Sequence, residues 1–209
     1  PAGIGLDLCV MLAFKKFPAN ITIIGNRDAI LLRARQLKKD IKISTKLGSH
    51  LGNGELKIIN LKYKNPVVSG KLDKSNSLSQ LKGLKKSIEL CLSKKFDALI
   101  TLPIHKKILS TKKIKFTGHT EYIADNCGLK GNEVMLLSNK KINVALATTH
   151  ISLKDVPNKI SKKSLCDTIS TLHNDLKRKF KIIDPKITVT GLNPHSGEDG
   201  EFGDEEIRI

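Results

Sequence analysis

Tryptophan is missing from this 209-residue chain, and six Phe with two Tyr bring its aromatic content to only 4%. A surface that stacks single-stranded bases on aromatic rings is therefore not expected. Apolar runs long enough to cross a bilayer are missing too, and the start, PAGIGLDLCV, has neither the basic region nor the cleavage site of a secretory signal. A soluble, cytoplasmic protein with no membrane partner is expected. The four cysteines, Cys9, Cys91, Cys127 and Cys166, contain no C-x-x-C pair, which argues against a zinc ribbon or a redox dithiol. They are expected to be four separate, buried free thiols. The early glycines of PAGIG do not fit G-x-G-x-x-G, so they carry no Rossmann fingerprint; Gly3 and Gly5 stand just ahead of an apolar helical stretch, where backbone amides can face an anion or simply make a tight turn.

What is abundant is positive charge: 37 basic against 20 acidic residues, a net +17, alongside 39% hydrophobic residues, enough for a buried core. Such a charge favours phosphate-rich partners. The excess is mostly lysine spread along the whole chain, however, with no compact arginine-rich motif, so a solvated lysine surface is the simpler reading and a nucleic-acid partner is not expected. Short β-branched runs at Ile21 to Ile24, Leu56 to Leu61, Ala98 to Leu102, Val144 to Ala147 and Ile187 to Val189 read as buried strands. Between them, Arg27 to Lys39, Leu78 to Lys94 and Lys162 to Phe180 carry apolar residues at helical spacing. Strand and helix in alternation predict a layered α/β fold with a largely parallel sheet. The stretch LGSHLGNG, Leu47 to Gly54, reads as a surface connection with a tight turn at Asn53-Gly54.

Three histidines follow predicted strands directly: His105 after FDALITLPI, His150 after INVALATT and His195 after ITVTGLNP. In open α/β sheets ligands bind beyond the carboxyl ends of the strands, so these loops can assemble one site. Neutral imidazoles there suit a borderline divalent cation such as zinc, cobalt or manganese. The segment KFTGHTE, Lys115 to Glu121, places His119 and Thr120 beside a basic residue; Thr120 can cap a helix, or the pair can donate to a phosphate or carboxylate. Spacing alone does not choose among these histidines.

Taken together and in this order, PAGIG, TLPIHK, FTGHTE, ALATTH, GLNPHSGE and GDEEI resemble the landmarks of the 4-hydroxythreonine-4-phosphate dehydrogenase family, from Pro1 to Ile207. The resemblance implies an α/β/α fold with a parallel or mixed sheet like that of isocitrate and isopropylmalate dehydrogenases, with two subdomains (1–115 and 116–209) about a cleft. It also implies NAD or NADP as oxidant, bound without the glycine fingerprint, and a divalent metal: zinc, magnesium, cobalt or manganese. The implied reaction is oxidation and decarboxylation of 4-phosphooxy-L-threonine to 3-amino-2-oxopropyl phosphate, in pyridoxal phosphate (vitamin B6) biosynthesis. By motif, His150 and His195 are implied as metal ligands, His119 and Thr120 as substrate contacts, and His105 and Lys106 as residues lining the same crevice. No general base is assigned.

The family's sites are completed across a homodimer, which the resemblance therefore implies. Against the family pattern the chain is expected to be truncated at both ends. A first strand and an acidic Gly-Asp or Gly-Glu step would precede PAGIG, and a third metal histidine with further substrate-binding residues would follow GDEEI. Two histidines without the third hold a metal more weakly, and exposed sheet edges would lower stability. Two alternatives stand beside the dehydrogenase: a non-catalytic remnant that keeps the fold, and a basic nucleic-acid-binding module.

Overall fold

Strand β3 (Glu55–Asn60) lies between β1 (Thr22–Gly25) and β2 (Lys42–Ser44), parallel to both, with Ile23 opposite Ile58 and Ile43 opposite Leu56. This is the computed structural model of the chain, and it describes residues 1–46, 48–110, 116–129 and 131–209. Leu47, which opens LGSHLGNG, and Lys115, the basic residue of KFTGHTE, lie outside the described residues. The chain divides into two compact units, 1–127 and 128–209.

In the first unit the side chains of β3 alternate, and Leu56 and Ile58, each 1% exposed, turn to the same face. There they meet Val10 and Ala13, at the end of α1 (Gly5–Leu12) and just past it, and Ile30 and Ala34 of α2 (Arg27–Gln36). Each fully buried aliphatic side chain of this kind contributes roughly 2 kcal/mol. On the other face lies α3 (Ser77–Leu92), where a Cβ added at Gly83 would collide with Leu61 and touch Ile24. Helices on both faces of a parallel sheet make this unit α/β, as its strand and helix pattern predicts.

Polar contacts fix the elements against one another. Asn26 caps α2 by accepting from the Ala29 N–H at 2.8 Å, and its own amide donates to the Leu61 carbonyl at 2.8 Å, so one side chain ties the start of α2 to the end of β3. Arg33 of α2 reaches Asp7 of α1 at 2.5 Å and holds that carboxyl below its ordinary range. The 48–54 stretch is less superficial than its sequence suggests. His50 is 7% exposed and its Nε2 donates to the Lys15 carbonyl at 2.7 Å, while Gly52, at φ 67°, lies so close to Lys15 and Lys16 that a Cβ would come within 2.7 Å of their backbone.

In the second unit β4 (Met135–Ser138) and β5 (Asn143–Leu146) form an antiparallel hairpin. Its turn is held by the Asn139 side chain, which accepts from the Lys141 and Ile142 amides. Helix α6 (Lys162–Arg178) starts in a capping box between Ser161 and Ser164. A largely apolar cavity of about 940 Å³ runs between β5, α6 and the stretch 185–192, lined by residues such as Leu146, Ile169, Leu172 and Ile187.

Two expectations change, those for two strands and for the burial of the cysteines. Ala98 to Leu102 and Ile187 to Val189 join no sheet among the described residues, because nothing pairs with them: Ile100 is 87% and Val189 53% exposed. A β-rich sequence becomes a strand only where a ladder partner exists. Strand β5 pairs antiparallel with β4, within the parallel or mixed arrangement expected. The two compact units divide after Cys127, and α5 (His119–Asn126) packs through Tyr122 onto the Leu81, Leu109 and Phe116 cluster of the first unit. All four cysteines are free, but only Cys9 is buried, its thiol pushed up to about 11 by that burial, and Cys166 is exposed.

Among the described residues no helix is long and apolar enough to cross a membrane. Replacing Leu56 with Ala should destabilise the first unit by about 2 to 5 kcal/mol, the usual range for a leucine so fully enclosed. A urea titration followed by circular dichroism would show this as a lower midpoint, and a loss well under 1 kcal/mol would mean that β3 is not its centre.

Candidate functional site

Helix α4 (Lys106–Leu109) is held in place by α3. The Ser77 hydroxyl, 1% exposed, donates to the Ile108 carbonyl at 2.6 Å, and Leu109, fully buried, packs on Leu81 and Phe116. This anchoring sets the position of Lys106, on the first turn of α4, and of His105, the residue just before it. Phe116 in turn meets His119 edge to face at 5.9 Å and Tyr122 at 5.5 Å. The start of α5 is thereby fixed against the same apolar cluster.

Gly118 is the residue around which this part of the site closes. A Cβ there would stand 2.5 Å from Glu121 Oε2 and 3.7 Å from Lys106 Nζ, so no larger residue fits without moving one of them. Glu121 Oε2 is buried and has no hydrogen-bond partner among the described residues. Thr120 is the second residue of α5 rather than its cap; that position belongs to Gly118, and no side chain caps the helix. Partial burial, and then the Lys106 ammonium, lower the pKa of His119 from its ordinary 6.5. At neutral pH its imidazole is uncharged, able to donate from one nitrogen and accept at the other. The structure thus brings Lys106, His119 and Thr120 together at one helix start, with His105 exposed next to Lys106.

His150 and His195 both belong to the second unit, and both are exposed. Each has a left-handed backbone, φ 56° at His150 and φ 50° at His195. For a residue other than glycine such a conformation costs on the order of 1 to 3 kcal/mol and survives where the surroundings impose it, often at a functional site. Neither ring has a hydrogen-bond partner among the described residues, so its nitrogens are open to a ligand. Two imidazoles are the right donors for a borderline divalent ion. No group of three His, Cys, Asp or Glu side chains that could hold a metal is present among the described residues. Among the described residues the two imidazoles are thus at most part of a coordination set.

Sequence reading placed Gly118 in a polar turn and Glu206 within GDEEI and did not single out Ser77; the contacts of all three depend on the fold.

The first unit carries an imidazole and ammonium cluster, and the second carries two exposed histidines with left-handed backbones, His195 lying 6.5 Å from the Phe202 ring. The chain belongs to the family described as pyridoxal phosphate biosynthetic protein PdxA, whose sequence pattern matches residues 17–209. Over its whole length it is 39% identical to a protein of Methylococcus capsulatus named 4-hydroxythreonine-4-phosphate dehydrogenase, covering 64% of it. It is 38% identical to a protein of the same name from Serratia proteamaculans, with 99% of this chain and 64% of that protein covered. Among solved structures, a 4-hydroxythreonine-4-phosphate dehydrogenase from Klebsiella pneumoniae matches all of the chain at a TM-score of 0.85 and 25% identity, with 66% of that structure covered. One from Burkholderia phymatum matches 99% of it at 0.81 and 30%, with 64% of that structure covered. The chain spans less than two thirds of the length of the curated relatives it matches.

Because the pKa of His119 is lowered in the fold, the unfolded chain takes up its proton first as pH falls. Stability tied to this group is complete above 6.5 and is lost as pH drops below that value through the folded-state pKa. Replacing Lys106 with Met removes the like charge and should raise the His119 pKa, measurable by NMR titration of the ring protons. An unchanged value would mean that the two side chains do not face each other.

Proposed function

We propose that this chain belongs to an NAD- or NADP-dependent, divalent-metal-dependent dehydrogenase acting on 4-phosphooxy-L-threonine, within pyridoxal phosphate biosynthesis. The observation that carries the reading is the match of essentially the whole chain, in sequence and in fold, to proteins named for that activity. The site geometry agrees with it: a cationic, hydrogen-bonding helix start in one unit suits an anionic substrate, and two open imidazoles in the other suit a metal.

In this reading NAD or NADP, when bound, would accept hydride from the hydroxyl carbon of the substrate, and the hydroxyl proton would go to a base. The resulting β-keto acid then breaks its bond to the carboxylate, carbon dioxide leaves, and the electron pair left on carbon takes a proton to give 3-amino-2-oxopropyl phosphate. Lys106, His119 and Thr120 supply donors to the phosphate or carboxylate oxygens, and charge-assisted bonds of this type are the strong ones. The neutral state of His119 lets it donate without adding a second cation beside Lys106. His105 lines the same region.

His150 and His195 would hold the divalent metal, whose chemistry is to stabilise negative charge on the substrate oxygen. The remaining ligands come from outside the set described above, and the proposal includes a cytoplasmic homodimer that shares its sites.

The test is formation of reduced nicotinamide when the protein is given 4-phosphooxy-L-threonine, NAD and a divalent metal. Turnover that a chelator abolishes is expected, and His150→Ala and His195→Ala should each weaken Co²⁺ binding at least about tenfold, since neither ligand can be replaced by its neighbours. No turnover with any divalent metal, together with Co²⁺ binding that neither variant changes, would favour the remnant.

A further inference from the structure

His195 does not stand alone in its backbone conformation. The five consecutive residues His195 to Asp199 have φ 50°, 55°, 85°, 45° and 55°, and only Gly197 among them is a glycine. This is one turn of left-handed helix, which L-residues do not sustain by themselves. Something around the turn must impose it.

The surrounding contacts converge on Glu206, the second residue of the short helix α7 (Glu205–Arg208). Its Oε1 accepts the backbone N–H of Asn193 at 2.7 Å and its Oε2 accepts the Asn193 side-chain amide at 2.9 Å. The same amide also donates to Glu205 Oε2 at 2.7 Å. Both oxygens of one carboxylate are therefore engaged by the asparagine two residues ahead of His195. The carboxylate also packs against the turn itself, since Oε2 lies 3.3 Å from where a Gly197 Cβ would stand and Oε1 lies 3.3 Å from the equivalent point on Gly191. On the far side the Phe202 N–H donates to the Gly197 carbonyl at 3.0 Å. A solvated helix acid would make none of these contacts.

We propose that Glu206 is a positioning residue for His195: its carboxylate bridges to Asn193, closes the loop from 193 to 206, and imposes the left-handed turn that carries the imidazole. The bridge is built to persist, because hydrogen bonds from Asn193 hold the Glu206 carboxyl at about 2, so it accepts both bonds across the ordinary pH range. The inference rests on the reading of His195 as a site residue.

NMR of the full 209-residue chain tests it, because residues with positive φ give a strong cross-peak between their own amide and α protons. Glu206→Ala should lose that signature at residues 195, 196, 198 and 199 and shift the His195 ring signals while leaving those of His150 in place. Glu206→Gln keeps one accepting oxygen and should retain part of the signature. An unchanged signature in Glu206→Ala overturns the proposal. Asn193→Asp, the same size, sets a third carboxylate against Glu205 and Glu206 and should abolish the signature; its survival there overturns the proposal even where Glu206→Ala does not fold. Failure of the metal reading shows separately, as Co²⁺ binding that His195→Ala leaves unchanged.

Discussion

The alternation of Leu56 and Ile58 with the residues between them on β3 sets the layers of the first unit. With those two side chains turned toward α1 and α2, the opposite face of the sheet is left for α3, and Gly83 allows that helix to approach closely. The candidate residues of the first unit all depend on α3. Ser77 holds α4, Leu81 and Leu109 seat Phe116, and Phe116 sets the ring of His119. A disturbance of β3 would reach Lys106 and His119 through that series of contacts, although neither residue touches the sheet's central strand in any hydrogen bond described above.

The second unit is organised differently. Among the described residues its sheet is a two-stranded hairpin, and an apolar cavity of about 940 Å³ lies between β5, α6 and the stretch 185–192. Near His195 the order comes from polar contacts around a left-handed turn. His150 and His195 sit in conformations that are intrinsically unfavourable by on the order of 1 to 3 kcal/mol each. The Asn193 and Glu206 bridge shows how such a cost is met locally. Strain held by a network of this kind fixes a side chain more sharply than a flexible loop would, which suits a ligand that must keep its geometry.

Much of this was readable in the sequence, for physical reasons. Helices α2, α3 and α6 announce themselves by apolar spacing, and β1 and β3 by β-branched runs between turn residues. The histidines stood out through their motifs. What could not be read was whatever depends on a neighbour. Ala98 to Leu102 and Ile187 to Val189 have strand composition, but no ladder forms on them. Thr120 has the chemistry of a cap, yet the cap falls two residues earlier at Gly118, whose bareness is required by Glu121 and Lys106. No periodicity announces a left-handed turn at His195 to Asp199, since four of its five residues are types that ordinarily avoid it.

The proposed metal site requires His150 and His195 to bind one and the same ion. Anomalous diffraction at the zinc edge, from crystals of the protein grown with Zn²⁺, addresses it directly. The account predicts a single strong peak within bonding distance, roughly 2.0 to 2.1 Å, of a ring nitrogen from each of the two histidines. Zinc bound at full occupancy elsewhere, with both imidazoles free of it, would contradict the account.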